Sequence, residues 1–505
     1  MKLFFSIITL TFYSNILAQN VLNRGNGSEP DSLNIHQAEG LNSHNVLRDL
    51  YEGLMTLDVK GEPIYGMATS HIVDNNLWIF KLRKNAKWSD GSSVLASDFV
   101  RGWQKAINPK TVAPYAFLFN NIVNAKTITH AKLTPDHLGV KAIDDHTLQI
   151  KLIQHDSAFL EKLSLPIFYP LPKITDSDHQ IISNGAYRLQ SWNIQEKIVL
   201  NKNPHYYAKN KIYFDQVNYW VTEDQSSELK RFRTGELDIT ESIPDSQISW
   251  IKQNLPRELH ISPYLGSFFL GLNISDENLK NLPLRQALSL AIDRKILTEK
   301  VLKTGQQPAY HIVPRNLTGD QNNHNPTFNK SLALTRLNES GVDINNLKIE
   351  ILYNNSENQR KVAIAIAAMW RQTLGIKAQL LNQEWKVFVH SRKSKSRQAF
   401  RSGWIADYAD ALSFLELFTS DSRFNFYHYK NPAYDDLIEK IRTSSITFTK
   451  NQLVERAENI LIHDMPVIPL YYYVSRHLVN VQILGYTDNI SDRHLSKYLY
   501  KEAKP

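Results

Sequence analysis

The sequence predicts an α/β protein. Two observations carry that reading. Helical and strand periods alternate along most of the chain. A strand, a long helix and a second strand follow one another between residues 348 and 382, the pattern of a right-handed parallel crossover. No internal repeat of solenoid or propeller length competes with it.

At the start, Met1-Lys2 supplies a positive charge, residues 3–13 form an apolar run, and Ala18 is a small residue at a plausible cleavage point. The run is well short of the roughly 20 apolar residues that span a bilayer. Residues 1–18 therefore read as a signal peptide cleaved near Ala18, and nothing downstream reads as a membrane span. Residues 77–83 are strand-like and 87–91 a turn, and a helix carrying Phe99, Val100 and Trp103 comes next. Residues 146–152 alternate strictly, as a half-exposed strand does. Residues 226–233 read as a helix closed by Gly235, with a strand beginning at Leu237, Asp238 and Ile239. In the crossover unit, residues 348–354 are a strand and 358–374 an Ala-rich helix stopped by Gly375, and 376–381 form the next strand. The Asn-rich residues 316–329 read as a surface loop.

Composition excludes several classes. With 42% hydrophobic and 21% charged residues the chain is globular, and its 505 residues predict more than one domain. A net charge of +8 is mild at this size, and no basic run resembles a nucleic-acid arm. The densest basic stretch, residues 393–397, has no aromatic platform beside it and reads as a solvated loop. The chain has no cysteine, which excludes thiol catalysis, thiolate zinc sites, disulfides and lipid attachment. There is no Gly-x-Ser-x-Gly elbow, no His-Glu-x-x-His helix and no phosphate-binding loop. Gly25-Asn26-Gly27 lacks the third glycine of a dinucleotide fingerprint. The 17 histidines show no metal-ligand spacing, so neither a metal nor a cofactor is expected. An exported binding protein fits better than an enzyme.

Several segments narrow the class. They are Asn26-Gly27-Ser28-Glu29-Pro30 with Ser32-Leu33, and Arg48-Asp49-Leu50-Tyr51-Glu52-Gly53-Leu54. Leu82-Arg83-Lys84-Asn85-Ala86-Lys87-Trp88-Ser89-Asp90-Gly91 is the most distinctive, followed by residues 138–145 and Ser183-Asn184-Gly185-Ala186-Tyr187. Asn382-Gln383-Glu384-Trp385-Lys386, Gly403-Trp404-Ile405-Ala406-Asp407-Tyr408 and Pro469-Leu470-Tyr471-Tyr472-Tyr473 complete the set. In their order and spacing they resemble the periplasmic oligopeptide-binding proteins, the large peptide-receptor class of ABC importers.

The resemblance implies a two-lobed periplasmic-binding-protein fold with an additional third domain and the ligand enclosed between lobes. Lobe I would comprise residues 19–51, 166–264 and 475–505, the extra domain residues 52–165, and lobe III residues 265–474. Asp407 would hold the ammonium of a peptide, and Gly403, Trp404 and Ile405 would pair with its backbone. Glu39 and Leu41, in Glu39-Gly40-Leu41, would approach from the opposite lobe, Trp385 and Tyr115 would line side-chain pockets, and Arg401 would meet the peptide carboxylate. Two other basic positions for that carboxylate appear here as Gln359 and Leu302, with Lys303 adjacent. A relative's cysteine pair would fall at Gly266 and Ile405, and the family's usual Thr before the helix near Trp88 is Leu95.

The expected function is a periplasmic receptor, a monomer without enzymatic activity, that captures short peptides and delivers them to an ABC permease. It would bind no nucleic acid and would not be embedded in the membrane. A receptor for murein peptides is the alternative within the class; a peptide hydrolase or a periplasmic chaperone is the alternative outside it.

Overall fold

The computed structural model describes residues 20–156, 158–173, 181–318, 327–394, 396–444 and 447–502. The signal-peptide reading lies outside these residues, as does most of the 316–329 loop.

Three sheets organise the chain. Val21–Gly25 pairs parallel with Gln216–Trp220, and Lys197–Lys202 and Tyr187–Asn193 extend that sheet antiparallel. Ala68–Asp74, Leu77–Leu82, Thr147–Lys151 and Val140–Asp144 form a wholly antiparallel sheet. The third has six strands in the order Gln307–Pro308, Val467–Leu478, Leu259–Leu272, Ala399–Ile405, Ile349–Asn354, Ala378–Gln383. Mixed parallel and antiparallel strands with intervening helices make this an α/β fold.

The crossover unit forms as its pattern predicts. Ile349–Asn354 is buried along nearly its whole length, because helices cover parallel strands on both faces. The helix Glu357–Leu374 ends at Gly375, whose φ of 76° is left-handed and costs glycine little. Ala378–Gln383 then pairs parallel with the first strand, in register from Ile349↔Ala378. Trp370 locks the helix to its neighbours, fully buried with Nε1 donating to the Leu288 carbonyl at 2.9 Å.

Two other local expectations hold and one does not. Asp224 caps Gln225–Arg233 by accepting from Ser227 N at 2.7 Å, and Gly235 adopts φ 79° beyond its end. Leu95 precedes Ala96–Ile107 without a side-chain cap, but Asp98 accepts from Leu95 N at 3.0 Å and from Trp88 Nε1 at 2.9 Å. Residues 237–239, expected to begin a strand, make only isolated bridges from Ile239 to Arg24 and Val479. Their hydrogen bonds are divided between two neighbours: Asp238 N donates to Asn23 O and Thr240 N to Leu478 O, so no ladder propagates.

Leu259–Leu272 and Val467–Leu478 run antiparallel from Leu259↔Leu478 to Gly271↔Val467, with an irregularity between Pro263 and Ser267. Proline contributes no N–H to a ladder, which accounts for the break beginning there. Through this pair the six-stranded sheet reaches the segments that pack on Val21–Gly25. Gly266 and Ile405 face each other in register on adjacent strands. No described helix is long and apolar enough to cross a membrane.

Candidate functional site

A cavity of about 310 Å³ lies between segments of the Val21–Gly25 sheet and of the six-stranded sheet, and it gathers every residue assigned a peptide contact from the sequence. Asp407, Gly403, Trp404, Ile405, Arg401, Trp385, Glu39, Leu41 and Tyr115 all line it. Leu302, by contrast, is in the core at 1% exposure, and neither it, Lys303 nor Gln359 reaches the cavity.

The strand Ala399–Ile405 supplies one wall. It pairs along its full length with Leu259–Leu272, but on its other edge it meets Ile349–Asn354 only at Ala399 and Phe400. Residues 401–405 thus have no strand neighbour on that side among the described residues. Ala406 N donates to Leu265 O at 2.8 Å. The alternation of an antiparallel ladder then turns the N–H and C=O of 401, 403 and 405 toward the open edge. Glycine at 403 suits the crowding: a Cβ there would come within 2.6 Å of Tyr473 Oη and 3.0 Å of Ser267 O.

Asp407 follows this strand and is 9% exposed. Its N–H donates to Ser413 Oγ at 3.0 Å, and its carbonyl accepts from Arg493 Nη2 at 2.6 Å. Among the described residues no protein group hydrogen-bonds its carboxylate. Burial pushes the carboxyl up to about 7, against the opposing pull of the Arg493 and Arg48 guanidiniums. A buried carboxylate with open acceptor positions is a receptor for a cation carrying several N–H groups.

The cavity's other guanidiniums differ in how far they are committed. Arg476 pairs with Asp245 and reaches Thr304 Oγ1 at 3.2 Å. Arg392 lies 3.9 Å from Glu39 and over the Phe426 ring at 4.7 Å. Arg401 has no carboxylate partner among the described residues. It lies over Trp385 at 5.6 Å and Phe268 at 5.8 Å, with Nε buried and unbonded. Trp385 begins the helix Trp385–Ser391, which Glu384 caps by accepting from Val387 N at 3.1 Å.

Aromatic rings close the space between. Phe424 packs 5.2 Å from Tyr115 and 4.9 Å from Trp404, measured between ring centroids. Tyr115 Oη donates to the Glu39 carbonyl at 3.4 Å. Asp31 shapes the opposite wall by accepting from Glu39 N at 2.7 Å, Gly40 N at 2.9 Å and Ser43 Oγ at 2.6 Å. Leu41 then starts the helix Leu41–Leu50. Lys393, read from sequence as part of a solvated loop, is exposed and also donates to Glu39 Oε1 at 3.0 Å, and Arg397 pairs with Glu350 at 3.6 Å. The loop folds back against carboxylates that lie far from it in the chain; Lys395 is outside the described residues.

Sequence reasoning missed Arg48 and Arg493, which flank Asp407, and the convergence of His477, Asp492 and His494. Arg48 sits inside a quoted motif, a signal that was available. Arg493 comes from the C-terminal tail and carries no local pattern.

Residues 62–426 match the model of bacterial extracellular solute-binding proteins, family 5 (middle region), and the chain belongs to that family. It is a class of binding proteins and not of enzymes. The chain is 37% identical to the periplasmic oligopeptide-binding protein OppA of Salmonella typhimurium, covering 94% of this chain and 92% of that one. Its structure resembles the Escherichia coli murein tripeptide-binding protein MppA, at 35% identity and TM-score 0.93, over 96% of this chain and 99% of that one. Against the unliganded open form of MppA the TM-score falls to 0.67, at the same identity and over 96% and 98% of the two chains. Haemophilus influenzae OppA in complex with the peptide RPPGFSPFR gives 0.91 at 33% identity, over 96% and 99%.

Proposed function

We propose that this chain is a periplasmic receptor that encloses short peptides by their backbone and free amino terminus and delivers them to an ABC importer. The observation that carries the proposal is one cavity holding both the Asp407 carboxylate and the open edge of residues 401–405. A peptide enclosed away from water must have its ammonium, carboxylate and backbone groups satisfied, because each buried group left unpaired costs about 1–3 kcal/mol. In this reading Asp407 takes the ammonium, Arg401 takes the carboxylate, and the main chain of Gly403 and Ile405, joined by Arg401, takes the peptide backbone. Trp404, expected from sequence to pair there too, turns its backbone groups to Leu259–Leu272 instead. Trp385, Tyr115 and Trp404 receive side chains, and Glu39 and Leu41 approach from the other lobe. Main-chain pairing reads no side chain and so tolerates many sequences.

The three sheets fit the division proposed from sequence. Residues 19–51, 166–264 and 475–505 form one lobe, 52–165 the extra domain, and 265–474 the other lobe. The paired strands Leu259–Leu272 and Val467–Leu478 serve as the hinge, and the irregularity after Pro263 is a place for them to bend. The low TM-score against an open relative supports reading the arrangement described here as the closed one. Residues 1–18 would be removed on export, leaving a monomer that performs no chemistry on its ligand.

Native mass spectrometry of the purified chain, followed by isothermal titration with tri- to pentapeptides, tests this. Co-purifying peptides and micromolar or tighter binding, about −8 kcal/mol, are expected. A chain that arrives empty and binds none of the peptides overturns the reading. The similarity to MppA favours one second reading, a receptor for murein peptides, whose free amino terminus Asp407 serves equally well. Competition between murein tripeptide and ordinary tripeptides separates the two.

A further inference from the structure

We propose that His477, Asp492 and His494 form a binding site for one first-row divalent transition-metal ion on the wall of the cavity. His477 Nε2 lies 2.9 Å from Asp492 Oδ1, and His494 Nε2 lies 3.0 Å from the same oxygen. One donor atom from each residue falls within 4.8 Å of the others. A tetrahedral ion with bonds of about 2.1 Å holds its ligand atoms about 3.4 Å apart, so the two histidine–aspartate pairs need open by only a few tenths of an ångström to seat one.

The surroundings orient the donors. His477 Nδ1 is 2.9 Å from the Thr240 carbonyl, which only accepts, so Nδ1 carries a hydrogen and Nε2 is the nitrogen presented to the ion. Thr240 is itself fixed, its hydroxyl accepting from Leu478 N at 2.9 Å. The His494 ring stacks on Tyr486 at 4.0 Å, and its backbone carbonyl accepts from Arg24 Nη1 at 2.7 Å.

Charge is balanced as well. Glu241 lines the same cavity wall, close enough for its charge to be felt by His477 and Asp492. Two carboxylates and two neutral imidazoles neutralise a divalent ion. Arg24, which donates to the His494 carbonyl, has Asp49 as an electrostatic partner. The ion would displace the hydrogen that His477 Nε2 donates to Asp492, and that proton would leave to solvent. Imidazole nitrogens with one carboxylate suit zinc- or cobalt-like ions better than magnesium or calcium. All three residues line the cavity, so coordination positions left free by the protein open toward the ligand space.

The spacing explains why the sequence concealed the site: His477 and Asp492 are 15 residues apart and meet only because the tail folds back. The test uses the untagged chain stripped with a chelator, then titrated calorimetrically with Zn²⁺ and spectroscopically with Co²⁺. A single Zn²⁺ per chain, visible Co²⁺ absorption, and affinity at least tenfold weaker in His494→Gln and Asp492→Asn are expected. Circular dichroism checks that each variant folds; should Asp492→Asn fail, His494→Gln decides. A wild type that binds no Zn²⁺, or a His494→Gln variant with unchanged affinity and Co²⁺ spectrum, overturns the proposal. Neither result bears on peptide binding.

Discussion

Lys393 Nζ stands 3.0 Å from Glu39 Oε1, a pair 354 residues apart in the chain that joins the two walls of the cavity. Lys393 is 42% exposed at its side chain and Glu39 only 16%, so water screens one partner more than the other.

A half-exposed ion pair contributes about 1 kcal/mol at most, close to a fivefold effect on an equilibrium. Lys393→Ala is expected to weaken peptide binding by up to that factor and to enlarge the ligand-free chain in small-angle scattering. The difference should shrink in high salt. A variant that matches the wild type in low salt would remove the pair from the closing mechanism.

Asp407→Asn removes the charge expected to meet the ammonium while preserving shape. Breaking a buried pair costs about 3 kcal/mol or more, so affinity should fall by roughly 100-fold. In the wild type, the carboxyl at about 7 must ionise before it can pair. Affinity should therefore drop about tenfold per pH unit below 7, and fall again above about 8 as the peptide amine deprotonates. Titration calorimetry across pH checks both limbs; a Kd independent of pH between 5 and 7 would contradict the assignment.

Arg401→Gln separates carboxylate recognition from packing. A charge-assisted hydrogen bond is worth about 1.5–3 kcal/mol, so free-acid peptides should lose about tenfold or more in affinity. Peptides with an amidated C-terminus should bind wild type and variant alike. Equal losses for both would assign Arg401 to holding Trp385 and Phe268 in place.

Glu458 tests stability away from the cavity. It is 1% exposed, and its Oε1 accepts from Ile312 N at 3.0 Å and Val313 N at 2.8 Å. Burial raises its carboxyl from 4.5 to about 8. A folded pKa above the unfolded one means the native state holds the proton more tightly. The stabilisation is complete below 4.5 and lost as pH rises through about 8. Glu458→Gln keeps an acceptor for both N–H groups, so it should flatten the decline of Tm between these values. Parallel melting profiles for the two proteins would refute this.

Much of the architecture was legible because it is local. The 348–382 unit announces itself through apolar runs, an Ala-rich helix and Gly375, and these interactions lie within a few residues. Residues 237–239 carry the same kind of signal but form no ladder, because two neighbouring segments divide their hydrogen bonds. Local propensity has no access to that competition.

The sequence by itself determined the α/β class, the absence of thiol chemistry, and the peptide-receptor resemblance that named Asp407, Arg401 and their companions. Only the tertiary structure decided that residues 39–41, 115, 385 and 401–407 share one cavity, and that the far edge of 401–405 lacks a partner strand. It alone brought Arg48 and Arg493 to Asp407, Lys393 to Glu39, and His477 to Asp492 and His494. These are contacts between segments remote in the chain, set by how sheets and tail pack, and no spacing rule along one segment encodes them.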